Sequence, residues 1–174
     1  MKIGRRIVTG NGPDGRSHVI LMDEAETNGR FFSVWRTHGM PVPLQRPETV
    51  AALPPAPLAA SHGTAFTLVE IPPVPAEIDP EALERAFAEA FARGGMADMR
   101  GDTDRHPGMH VTPTLDYIIV LKGELTLLLG SEAVELRPLD IVIQRATDHA
   151  WVNTGAEPAI LGAVVLDARG SRPE

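Results

Sequence analysis

Short β-prone runs, several of them mostly apolar, recur along most of this chain between polar turn clusters. Such runs fall at 3–8, 18–22, 31–37 and 65–71, then more densely at 115–121, 124–129, 133–136, 140–144, 149–153 and 159–166. Gly, Pro, Asp and Ser punctuate most of the gaps, as in TGNGPDG between the first two runs, where glycines supply the positive φ that tight turns need. Evenly spaced short strands of this kind predict an all-β barrel or sandwich. Residues 40–57 carry six prolines, which cannot donate ladder hydrogen bonds, and read as an extended covering segment.

One stretch switches to helical spacing. Asp79 is a good N-cap and Pro80 suits the first helical position, where a missing N–H costs nothing. Leu83, Phe87, Ala90 and Phe91 form an apolar stripe, and Gly94-Gly95 stops the run. A helix over 80–93 is predicted, packed on the outside of the barrel through that stripe.

At 174 residues the chain suits one domain, divided into an N-terminal arm with early strands and the Pro-rich segment (1–64) and a barrel that includes the helix (65–174). It has no cysteine, which excludes disulfides, thiol nucleophiles and iron–sulfur clusters. A metal would therefore need His, Asp, Glu or backbone oxygen, a donor set that suits Fe, Mn, Ni, Cu or Zn. The net charge of −7 and the lack of a basic stripe argue against nucleic acid as a partner. The apolar runs are too short to span a bilayer, so a cytoplasmic protein with no membrane partner is expected.

Two segments carry a more specific signal. HVTPTLDYIIVLKG, from His110 to Gly123, resembles the first motif of the cupin superfamily (His, any, His, three or four residues, Glu, six residues, Gly). QRATDHAWVN, from Gln144 to Asn153, resembles the second (Pro, any, Gly, two residues, His, three residues, Asn). His110, Gly123, His149 and Asn153 match. Thr112 stands at the second His, Asp116 at the Glu, and Gln144 and Ala146 at the Pro and Gly. The resemblance implies a small single-domain cupin with a degenerate first motif: an antiparallel, jelly-roll-like barrel of two packed sheets. It also implies pairing into a homodimer through N-terminal strands, and a divalent metal held by His110, Asp116 and His149. Two imidazoles and a carboxylate would leave coordination positions open. Asp is one methylene shorter than Glu, however, and a metal-free version is the alternative.

Strand periodicity puts His149, Trp151 and Asn153 on one face and Asp116 and Ile118 on another shared face. Trp151 and Ile118 would then shape a pocket for a small organic substrate, with Thr112 holding a water or a substrate oxygen. Arg36 could bind a carboxylate there, though a surface position is its simpler reading, as core packing is for Trp35. Taken singly, each site residue has a plain structural reading: His110 in a surface loop, His149 as a hydrogen-bonded core histidine, Asp116 paired with Arg105 or Arg145. Together in cupin register they predict an enzyme, with metal-dependent oxygenase chemistry first. Lyase, isomerase, cyclase or decarboxylase chemistry using Asp116 and His149 as acid and base is second, and a non-catalytic binding barrel third.

Overall fold

In a computed structural model, residues 4–24, 26–42, 44, 58–75 and 77–168 are described. Most of the Pro-rich segment expected to cover the barrel lies outside them. The elements are β1 (Arg5–Asn11), β2 (Ser17–Glu24), β3 (Glu26–Asn28), β4 (Phe31–Thr37), β5 (Thr64–Ile71), α1 (Pro80–Arg93), a single 3-10 turn (Ala97–Met99), β6 (Thr114–Lys122), β7 (Leu125–Leu129), β8 (Ala133–Leu136), β9 (Ile141–Arg145), β10 (His149–Val152) and β11 (Ala159–Asp167). Three antiparallel sheets result: a β1–β2 hairpin, a three-stranded sheet ordered β10-β7-β8, and a six-stranded sheet ordered β3-β4-β5-β11-β6-β9.

The core lies between the two larger sheets. Ile118, Val120, Leu161 and Val165 from the six-stranded sheet meet Leu125, Leu127 and Leu136 from the three-stranded one, with Trp151 packed against the cluster. Fully burying each such side chain stabilises the fold by about 1.5–3 kcal/mol. The core is graded along the strands. Val120, Leu161 and Leu125 mark a greasy end; further along the same inner face stand Thr114, Asp116 and Gln144, all buried. Paired residues of antiparallel strands share a face. One row therefore runs Arg36, Ala65, Val165, Asp116, Gln144 across β4, β5, β11, β6 and β9.

The helix forms where its caps predicted. Asp79 Oδ2 accepts from the Ala82 N–H at 2.9 Å, Pro80 opens the first turn, and Gly95 takes φ +69° beyond the C-cap. Phe91 is buried, whereas Ala90 of the expected stripe faces solvent. Arg100 clamps the helix to the following loop through a two-pronged bond to Glu84 at 2.7 and 2.8 Å. Among the described residues no helix is long and apolar enough to cross a membrane.

Two turn positions show what the motifs do for the backbone. Gly123, in the β6–β7 turn, has φ +77°, and a Cβ there would come within 2.8 Å of Ala159 Cα. Only glycine meets both demands. Ala146, at the glycine position of the second motif, adopts φ +51° with a side chain present. A left-handed conformation costs a non-glycine residue about 1–2 kcal/mol. Ala146→Gly should recover part of that, a net gain of about 0.5–1 kcal/mol after glycine's entropy. The thermal midpoint should rise by about 1–3 °C; a fall in calorimetry would contradict the strain.

Candidate active site

His110 and His149 are brought together by backbone pairing. The His110 N–H donates to the His149 carbonyl at 2.9 Å and the His149 N–H returns the bond at 3.1 Å, so His110 extends the three-stranded sheet beyond β10. Their rings stand 4.3 Å apart, centroid to centroid, tilted by 41°. Trp151 meets His149 edge-on at 5.7 Å, and Phe91 of α1 lies 5.1 Å from His110. The helix thus covers the flank of the histidine pair.

Each ring is oriented by the same local device. His110 Nδ1 lies 2.9 Å from the Gly108 carbonyl and His149 Nδ1 lies 2.9 Å from the Thr147 carbonyl. A carbonyl only accepts, so both Nδ1 atoms carry the proton and both Nε2 atoms present a bare lone pair. Burial holds both rings neutral. His149 is pushed down to about 3 by burial and then by the neighbouring His110, despite its bonds to the Thr147 and His110 backbone. His110 is also lowered by burial, with the Gly108 carbonyl, the Asp148 carboxylate and His149 opposing.

Asp116 stands on β6, on the other sheet, with only 8% of its surface exposed. Burial pushes its carboxyl up to about 6, against a hydrogen bond from the Thr114 hydroxyl. Thr114 in turn shares a 2.7 Å bond with Thr112, so the residue at the motif's second His position is tied to its neighbour through hydroxyls. Asp116 Oδ1 has no hydrogen-bond partner among the described residues. Arg105, one expected partner, is instead turned to the Glu132 carbonyl at 2.9 Å.

The expected ligand set is therefore met only in part. Two neutral imidazoles with bare Nε2 atoms suit a transition metal. Yet among the described residues no group of three His, Asp or Glu side chains is placed to hold one ion. Asp116 reaches inward from the opposite sheet on a short side chain, and the histidines belong to the facing one. As they stand, the residues present do not make a three-ligand centre.

The other candidates also have places. Ile118 is buried one row below Asp116, and Trp151 lines the same interior. Arg36 corrects its surface reading: it is buried, 7% exposed, and points inward in the Asp116 row. The reason is a bulge at Val34, which advances β4 by one residue between Ser33 and Trp35. Trp35 consequently pairs with the exposed Phe66 on the outer face rather than filling the core. Arg6 of β1 donates to the Val34 carbonyl at 3.0 Å and binds Asp23, which ties the N-terminal hairpin to that bulge.

One residue escaped sequence reasoning. Asp148 accepts the Asp102 N–H at 2.8 Å, and a Cβ on Gly101 would overlap its carboxylate, so it pins the loop beside His110. Its adjacency to His149 was the available signal. Asn153, fully buried, donates to the Ile71 and Glu157 carbonyls at 2.9 and 2.8 Å and accepts from Gly155 at 2.9 Å. The last residue of the second motif is thus a structural tie. His106, outside the motif register, is held by the Gly108 N–H and by Phe87. A surface cleft of about 330 Å³ between Glu124, Glu135, Arg137 and Thr154 contains none of these groups.

Comparison with known proteins adds an independent line. No family model matches the chain. It is 36% identical over 76 residues to a protein of Neurospora crassa named a cupin-domain-containing oxidoreductase, covering 38% of this chain and 39% of that one. It is 40% identical over 63 residues to another so named from Aspergillus ruber, covering 34% and 31%. The match thus spans well under half the length of these relatives. Among solved structures, a double-stranded β-helix protein from Klebsiella pneumoniae is 16% identical, with a TM-score of 0.44 over 85% of this chain and 86% of that one. Over about a third of its length the chain is thus similar to proteins named for a cupin domain, and the two segments that resemble the cupin motifs sit on facing antiparallel sheets.

Proposed function

We propose that this chain is a cupin enzyme that moves a proton on a small oxygen-bearing organic molecule at the polar end of its barrel. The observation that carries this is Asp116: a buried carboxyl with one oxygen unpartnered, facing the interior. With its carboxyl raised to about 6, it exchanges a proton near neutral pH, where general acid–base catalysis is most effective. The neutral imidazoles of His110 and His149 supply Nε2 acceptors for a substrate hydroxyl or an abstracted proton. Trp151 and Ile118 give the substrate's carbon skeleton an apolar wall. A hydrogen next to a carbonyl is the natural target: one group removes it while another protonates the enolate oxygen.

A second reading keeps the redox chemistry in the relatives' names. It is favoured by the paired bare Nε2 atoms, which would be the protein's donors to a divalent transition metal. When bound, such a metal would supply Lewis-acid or oxygen chemistry.

The two separate in one experiment. Chelator-treated protein is incubated in D2O with short hydroxy acids and hydroxy ketones, and loss of the α-hydrogen is followed by proton NMR. The proton-transfer reading expects exchange that survives chelator and falls by at least about 100-fold in Asp116→Asn. Turnover that vanishes with chelator and returns with Fe(II) and O2 uptake would replace it by the redox reading.

A further inference from the structure

On the inner face of the six-stranded sheet, Thr67 Oγ1 and Asp116 Oδ1 are buried without a hydrogen-bond partner among the described residues. Thr67 stands in a row with Ala163 and Ile118 of the packed core. Asp116 is different, because a buried amide stands beside it. Gln144 on β9 is its cross-strand neighbour and is 3% exposed. Such a pair shares a face with Cβ atoms about 5 Å apart, close enough for a glutamine to donate to a carboxylate.

The donors go elsewhere. An amide nitrogen has two N–H groups. Gln144 Nε2 donates to the Thr147 carbonyl at 3.2 Å and bonds the Thr147 hydroxyl as well. Both donors are engaged by one residue, and none remains for Asp116. The Thr147 carbonyl is the same oxygen that accepts from His149 Nδ1 at 2.9 Å. One side chain of the six-stranded sheet therefore holds the atom that orients an imidazole on the three-stranded one.

The β9–β10 turn needs such a hold. Ala146 has φ +51° there, a left-handed conformation that disfavours any residue with a Cβ. Thr147 itself is exposed. Gln144 and Ala146 occupy the positions where the second motif has its proline and glycine. The two departures belong together. The backbone lacks both the stiff proline and the permissive glycine, and the amide restrains the turn from a side chain instead.

We propose that Gln144 is a positioning residue: by clamping Thr147 it fixes the His149 ring with its proton on Nδ1, and by the same bonds it leaves Asp116 Oδ1 open to a substrate. The proposal rests on the preceding reading for what the two groups do to that substrate. The orientation of the ring is measurable without one.

Gln144→Met keeps the length of the side chain and removes the amide. Long-range nitrogen–proton NMR of the full chain with 15N-labelled histidine is the test. It is expected to show His149 protonated on Nδ1 alone in the wild type and a mixture in the variant, a shift in tautomer ratio of at least about fivefold, the worth of one net hydrogen bond. Adding Ala146→Gly, which relieves the turn through the backbone, is expected to restore most of the Nδ1-protonated form. Gln144→Asn, one methylene shorter, is expected to behave as Gln144→Met does, and carries the test should that variant fail to fold. Exchange of the α-hydrogen is expected to fall at least about tenfold in both single variants. A ring unmoved in both would overturn the proposal, since a merely structural glutamine lowers the thermal midpoint and leaves the tautomer as it was. A double variant no better than Gln144→Met would overturn the link between the two departures. A ring that follows Gln144 with no α-hydrogen exchange in any form would keep the positioning role and remove the proton-transfer reading. Exchange in the wild type with an unmoved ring in both variants would do the reverse.

Discussion

Acidification below pH 6.5 is expected to erode the part of this protein's stability that rests on His149, a loss that His149→Gln is expected to abolish. His149 is 2% exposed, and its folded value lies far below the ordinary 6.5, at about 3. The unfolded chain therefore binds the proton first. The stability this confers is complete above pH 6.5 and is lost progressively as pH falls toward 3. Each proton taken up only on unfolding gives a slope of about 1.4 kcal/mol per pH unit. His149 alone should cost the wild type about 2–3 kcal/mol between pH 6.5 and 4.5. His110 adds a contribution of the same sign. At pH 8 the glutamine variant should be the less stable protein, having lost the ring contacts with His110 and Trp151. That gap should close as pH falls, because glutamine does not titrate. Urea unfolding of both proteins at four pH values measures it, and parallel curves would show that His149 is not a buried neutral base.

Asp116→Asn should act in the opposite sense on stability and strongly against function. Its carboxyl is raised from 3.8 to about 6, so the folded protein keeps a proton that the unfolded chain has released. The stability of the protonated form is complete below pH 3.8 and is lost as pH rises through 6. Above that, the wild type carries a buried charge without an arginine or lysine counterpart among the causes of its shift. Asparagine removes the charge at nearly constant shape. The variant should match the wild type near pH 4 and exceed it by up to about 3 kcal/mol at pH 8. The same substitution should cost at least about 100-fold in proton transfer, the usual share of a general acid or base. A variant that is more stable and inactive marks a group kept for function at the fold's expense. Equal stability at pH 8 would mean that Asp116 is solvated or paired.

Much of the architecture could be read directly from local pattern. Helix α1 starts and stops where Asp79, Pro80 and Gly94-Gly95 say, because caps are local chemistry. Strands β4 and β8 fall on the predicted residues, the short β3 was not foreseen, and the other strands deviate by one to three residues at their ends. The motif spacing located His110, Asp116 and His149, and alternation put Trp151 beside His149. What escaped depends on partners distant in the chain. The Val34 bulge inserts one residue into β4 with no glycine to announce it, and that single step turns Arg36 inward and Trp35 outward. Nothing in AFTLVEI distinguishes Thr67 from an ordinary inward threonine; its unmade bond exists only through what β4 and β11 place around it. That no three such groups, Asp116 and the histidine pair included, are placed to hold one ion among the described residues is likewise a property of two facing sheets, which a motif match does not measure.

All of this depends on His149 being a neutral ring with its proton on Nδ1 and a lone pair aimed inward. Long-range nitrogen–proton NMR of the protein with 15N-labelled histidine reads that directly. The account predicts, for His149, a protonated Nδ1, a bare Nε2 at pH 7, and no titration down to about pH 4. An Nε2-protonated ring, or a midpoint near 6.5, would contradict it.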